Sequence, residues 1–132
     1  MFIAALILVL SLAALGQFAV FYWRALLMST AADPISASVQ NHAGCPGQEF
    51  GAEHFHALLD LRELCPDLNE AREHWRGVRA YYGLLGLLRR APIAPVSRWA
   101  GSEQAVCSRY AAVLIDRRLR ASAEYRLSLN PR

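Results

Sequence analysis

Four residues in the first half of the chain carry the side chains that zinc and redox centres use. Cys45, His54, His56 and Cys65 form a symmetric pattern in which eight residues separate each cysteine from the nearer histidine. Cysteine thiolates and imidazoles are common ligands of tetrahedral zinc, but this spacing matches none of the usual ligand pairs. On one helix, His54 and His56 would also point about 200° apart. The sequence therefore predicts no metal site and no cofactor, and a metal- or redox-binding domain stands as the alternative hypothesis.

The cysteines do not indicate catalysis either. In a reducing compartment Cys45, Cys65 and Cys107 stay as thiols, whereas an oxidising compartment favours a Cys45–Cys65 bridge with Cys107 left over. The sequence contains no phosphate-binding loop, no dinucleotide-binding glycine motif, no Gly-x-Ser-x-Gly and no His-Glu-x-x-His. We therefore predict that the protein is not an enzyme.

Arginine supplies all 14 basic side chains, and the chain contains no lysine. We interpret this bias as the coding preference of a GC-rich, bacterial genome, because lysine would serve equally well at most exposed positions. Residues 33–73 carry a net charge of −6, whereas residues 74–132 carry +8. The overall net charge of +3 thus hides a dipolar chain, and a hydrophobic content of 55% excludes a disordered one.

Two arginine clusters lie in the basic half. The first is Arg89 with Arg90, and the second is Arg117, Arg118 and Arg120. They predict either a solvated face with local Glu–Arg pairs or a contact with anionic lipid headgroups or an acidic partner. Near an anionic leaflet each arginine would contribute about 1 kcal/mol of binding free energy. The acidic first half argues against nucleic acid as a partner.

The first 23 residues are apolar, with no charged side chain before Arg24. A helix of this length rises about 34 Å at 1.5 Å per residue, enough to cross a hydrocarbon core of about 30 Å. Tyr22, Trp23 and Arg24 close the segment with the aromatic and basic side chains typical of a membrane interface. The sequence predicts a single-pass transmembrane helix. A cleaved signal peptide is the main alternative, but it needs a shorter apolar run and a basic start.

Gln17 is a polar residue deep in this segment, among small side chains that allow close helix contact. It predicts either a local hydrogen bond of the amide or a face that contacts another membrane helix. Arg24 follows the segment, whereas no arginine precedes it. The positive-inside rule therefore places the C-terminal domain in the cytoplasm.

Helical spacing of apolar residues organises the rest of the chain. Asp33 and Pro34 fit the start of a short helix, and residues 49–64 predict a helix that ends before Cys65 and Pro66. Residues 67–90 give the clearest pattern, an apolar seam that we expect to be buried. Its members are Leu68, Ala71, Trp75, Val78, Tyr82 and Leu85, widened by Tyr81, Leu84 and Leu88.

A last helix is predicted from Ser97 as its cap to about Leu127, with an apolar stripe that fades after Asp116 into an exposed tail. The stripe consists of Trp99, Val106, Tyr110, Val113 and Leu114. No segment shows the alternation of a strand.

Together these patterns predict an all-α protein. A transmembrane anchor helix spans residues 1–27, a linker with a short helix and loop covers residues 28–48, and a small helical hairpin or three-helix bundle covers residues 49–129. We expect a membrane-anchored accessory or assembly subunit, with the lipid bilayer and a membrane protein or a second copy as partners. The residues predicted to interact are Gln17, Arg89, Arg90, Arg117, Arg118 and Arg120.

Overall fold

The computed structural model describes residues 1–44, 50–65 and 72–129, and within these ranges every regular element is a helix. The all-α prediction is confirmed. The helices are α1 (Phe2–Ala31), α2 (Ala37–Ala43), α3 (His54–Leu64), α4 (Arg72–Arg89) and α5 (Ala94–Leu129).

Helix α1 divides into two parts with different surroundings. Its residues are exposed as far as Tyr22, apart from a half-buried Val20. Leu27 and Ala31, in its last turns, are buried against the other helices. The helix is continuous through both parts, so the apolar segment is joined to the packed domain without a flexible joint.

Helix α5 is the centre of the packing and contacts α1, α2, α3 and α4. Arg24 of α1 pairs with Glu103, and Asp33, just after α1, pairs with Arg117. Residue numbers increase from the first pair to the second on both sides of the contact, so α1 and α5 run parallel. Ser97 donates a hydrogen bond to the carbonyl of Arg89 across the turn between α4 and α5, which form an antiparallel hairpin.

The core is formed where these helices meet α5. Trp75, Val78 and Leu85 of the predicted seam are buried, and Tyr82 is half-buried. Leu68 and Ala71 lie outside the described residues. Leu84, which we expected to be buried, is 51% exposed. The other large buried side chains include Leu27, Val39, Phe55, Leu58, Cys107, Tyr110, Val113 and Ile115.

The segment after α1 contributes side chains to the core. Ile35 and Val39 are buried together with the end of α1. Helix α2 has Ser36 rather than Asp33 at its N-cap position, without a side-chain cap hydrogen bond, and the Asp33 carboxylate is bound to the Arg117 guanidinium instead. A charge-assisted hydrogen bond is stronger than the cap that the sequence suggested.

Two further boundaries differ from the prediction. Helix α3 begins at His54 rather than at residue 49, because the Gly51 backbone N–H donates to Nδ1 of His54 at 2.9 Å and forms a turn there. It ends at Leu64, before Cys65, as predicted. Helix α5 begins at Ala94, and Pro95 is accommodated in its first turn, where the amide of a helix has no partner. The Asp67–Glu70 start predicted for α4 lies outside the described residues.

Candidate functional site

A buried ion pair marks the place where α1 enters the helical domain. The Arg24 Nε lies 3.2 Å from a carboxylate oxygen of Glu103, which is only 2% exposed. The Tyr81 hydroxyl donates a long hydrogen bond of 3.5 Å to the other oxygen. Arg24 itself is half-exposed at the end of the apolar segment. Three helices therefore share one cluster of charged and polar groups. We call this cluster, together with the neighbouring Trp23 and Gly77, the junction.

Trp23 and Gly77 form the apolar side of the junction. The Trp23 ring lies so close to α4 that a Cβ on Gly77 would clash with Cη2 of the indole. Only glycine leaves room for this contact. The half-buried Trp23 ring packs against the buried core, which also includes Leu27 one turn further along α1.

Burial shapes the titration of the groups around the junction. It raises the pKa of the Tyr81 hydroxyl to about 12, and the Glu103 carboxylate adds to this effect. Burial likewise raises the pKa of the Cys107 thiol to about 12. Both groups are therefore neutral at physiological pH, and Cys107 is a packed side chain rather than a nucleophile.

A second polar contact lies further along α5, away from the apolar segment. Asp116, which is 3% exposed, accepts a hydrogen bond of 3.3 Å from the Ser36 backbone N–H. Its other oxygen lies 2.8 Å from a guanidinium nitrogen of Arg120. Arg117 is held by Asp33. Two of the predicted interacting arginines are thus paired within the domain.

Arg118 contradicts the expectation of an exposed tail, because it is only 6% exposed. It lies close enough to Cys65 to oppose, through its charge, the rise in the pKa of that thiol that burial causes. Arg118 is thus the exception after Asp116, because Arg117, Arg120 and most of the described residues beyond them are exposed as expected. Arg117, Arg118 and Arg120 consequently do not form a common basic surface.

The first arginine cluster lies elsewhere. Arg89 and Arg90 are exposed at the turn between α4 and α5, where Arg89 donates to the Gln104 side chain at 3.4 Å. Gln17 is exposed in the middle of α1, six residues before Trp23 of the junction. It lines a shallow groove on one face of that helix, together with Ala14, Phe18 and Phe21. The predicted interacting residues thus occupy three separate places.

The histidine and cysteine pattern does not form a common centre in the described residues. Nδ1 of His54 accepts the Gly51 amide, whereas the His56 ring packs edge-on against Tyr82. Cys65 is a free, half-buried thiol, and Cys45 lies outside the described residues. Within residues 1–44, 50–65 and 72–129, no three His, Cys, Asp or Glu side chains are placed to hold a metal ion.

Sequence reasoning missed Glu103, although a signal was available. Glu103 lies four residues after Trp99 and three before Val106, both members of the predicted stripe. An acidic residue at such a position must find a positive partner when the stripe is buried. Arg24, the first charged residue of the chain, is that partner.

Comparison of this chain with protein-family models, with curated proteins and with solved structures gave no match.

Proposed function

We propose that this chain is a single-pass membrane protein in which the end of the membrane helix is part of the helical domain. We further propose that it acts without catalysis, as an accessory or assembly subunit of a membrane complex. The observation that carries the proposal is the two-part character of α1. Of the described residues, α1 is the one helix long and apolar enough to cross a membrane. Its residues as far as Tyr22 are exposed, apart from the half-buried Val20, whereas Leu27 and Ala31 in its last turns are part of the core.

The junction argues for an anchor that is kept rather than for a signal peptide that is removed. Cleavage at the small residues Ser29, Thr30 and Ala31 would take Leu27 out of the core and leave the buried carboxylate of Glu103 without Arg24. An uncompensated buried charge is strongly destabilising. A signal peptide, in contrast, is not part of the mature fold.

The face of α1 that contains Gln17 supports a role in assembly. Ala14, Gln17, Phe18 and Phe21 follow the spacing of one helix face. A small side chain allows close approach, and an amide in hydrocarbon gains from a hydrogen bond to a neighbouring helix. The proposed occupant of this face is a helix of another membrane protein or of a second copy.

Arg24 also supports an orientation. It stands at the domain end of the apolar segment, and positive charges next to a membrane helix favour the cytoplasmic side. The proposal therefore places the helical domain in the cytoplasm.

The assembly role is tested by purifying the full chain through a C-terminal tag from its native membrane in mild detergent and identifying the chains that accompany it. We expect a stoichiometric complex that Gln17→Leu weakens. Ser11→Leu is the matched control, because it makes the same kind of change about 120° around the helix. A chain that is recovered alone and monomeric, or a complex that survives Gln17→Leu as well as Ser11→Leu, would contradict the role of this face.

A further inference from the structure

The turn between α4 and α5 carries an exposed apolar surface that the core does not use. Leu84, Leu87 and Ile93 are 51%, 65% and 56% exposed. Pro92, Ala94 and Pro95 are exposed beside them. We call residues 84–99 the hairpin tip. Clusters of exposed apolar side chains of this kind mark a contact with a partner or a membrane.

The directions of the helices place the hairpin tip on the same side of the domain as the apolar segment of α1. Helices α1 and α5 run parallel, so the N-terminal end of α5 points the way the N-terminal end of α1 points. Tyr81 and Arg89 of α4 face Glu103 and Ser97 respectively, so the tip closes the hairpin at that same end.

The Arg24–Glu103 pair also shows how far the tip extends beyond the level of Arg24 along the direction of α5. Ala94 lies nine residues before Glu103 on α5, which is about 14 Å of helix. The headgroup region is about 6 Å thick on each side of the hydrocarbon core. A tip that starts level with Arg24 at the membrane interface is therefore long enough to pass the headgroups.

The charges of the tip agree with this depth. Arg89, Arg90 and Arg98 are exposed around its apolar residues, and no acidic residue lies between residues 84 and 99. Arginine side chains place their apolar stems along hydrocarbon and their guanidinium groups at lipid phosphates.

We propose that the hairpin tip inserts into the same leaflet that α1 enters. Leu84 then lies among the headgroups and Leu87 and Ile93 reach the outer hydrocarbon, while Arg89, Arg90 and Arg98 extend their guanidinium groups back to the lipid phosphates. The inference rests on the proposed membrane anchor. The domain then has two membrane contacts, which fix its orientation on the surface.

The parent protein for the test is the full chain with Cys45→Ser and Cys65→Ser. Its remaining cysteine, Cys107, is buried and should not react with the dye. Treating the parent protein with the dye checks this expectation. One cysteine is then added by Ile93→Cys at the tip, Leu12→Cys in the anchor, or Leu127→Cys, an equally apolar exposed residue at the far end of α5. Each is labelled with an environment-sensitive dye. The proteins are reconstituted in vesicles of phosphatidylcholine and phosphatidylglycerol with nitroxide-labelled lipid, and their helical circular dichroism is compared with the parent.

We expect lipid nitroxides to quench the dye at position 93 nearly as strongly as that at position 12, and several-fold more than that at position 127. Quenching at position 12 but not at 93 would overturn the insertion of the tip and leave the anchor intact. A lack of quenching at position 12 would overturn the anchor itself. A dye at position 93 shielded from both lipid nitroxide and aqueous iodide would show a protein partner, such as a second copy, and overturn the proposal. Leu87→Cys repeats the test if Ile93→Cys lowers the helical signal.

Discussion

A carboxylate that is removed from water costs free energy unless a positive charge or hydrogen-bond donors compensate it. Glu103 has both kinds of partner, Arg24 from α1 and Tyr81 from α4. A neutral side chain at this position would not require α1 to be present. The buried charge therefore makes the stability of the domain depend on the helix that carries the apolar segment.

Removing Arg24 tests this dependence. We expect Arg24→Ala to lower the free energy of unfolding by about 1–3 kcal/mol, because it leaves a buried acceptor without its partner. The effect should shrink when Glu103→Gln is present as well, as measured by urea unfolding of the full chain in mild detergent. Arg117→Ala is the control, since its pair with Asp33 is exposed and is worth about 0–1 kcal/mol. Equal losses for the two arginine variants would contradict the special role of the buried pair.

Two glycines of α4 allow a second test at the residue scale. Gly77 faces the Trp23 ring, whereas a Cβ on Gly83 would meet nothing within 4 Å. Gly77→Ala should destabilise the protein by about 1–3 kcal/mol, because the rigid indole must move. Gly83→Ala should instead stabilise it by about 0.5–1 kcal/mol, because alanine is the better helix former. Urea unfolding measures both, and the same sign for the two variants would show that Trp23 does not pack as described.

Among the helices, the sequence predicts boundaries and buried residues best where a helix buries a single face. The seam of α4 is recognised from its spacing, and Trp75, Val78 and Leu85 are buried as expected. The end of α3 before Cys65 follows from the proline that comes next. In these places local rules and packing favour the same structure.

The elements that differ from the prediction are those whose partners are distant in the chain. Asp33 is a good cap by local rules, but its partner Arg117 lies 84 residues away. Leu84 follows helical spacing, yet the direction of the hairpin leaves it on the outer surface. Spacing indicates which face of a helix is apolar; it does not indicate how many helices are available to cover it.

The predicted site shows the same limit. Gln17, Arg89 and Arg90 are exposed, so their predicted contacts stay open. Arg117 and Arg120 are used by acidic groups of the same domain, and Arg118 is buried. Local charge runs do not reveal pairing between residues that are far apart in sequence.

At the scale of the whole molecule, the charge asymmetry of the sequence is partly resolved by folding. The pairs Arg24–Glu103 and Asp33–Arg117 both join the α1 region to α5. The net positive charge that remains includes Arg89, Arg90 and Arg98 at the hairpin tip. These three exposed arginines lie on the side from which the apolar segment of α1 emerges.

Helix α1 is proposed to be both a retained membrane anchor and part of the folded domain. The first experiment is therefore alkaline extraction of membranes that contain the full chain, followed by measurement of the intact mass of the extracted and the retained protein. We expect the chain to stay with the membrane at the mass of the expressed sequence, 14.7 kDa plus any tag. A chain released into the soluble fraction, or one shortened by the loss of α1, would contradict it.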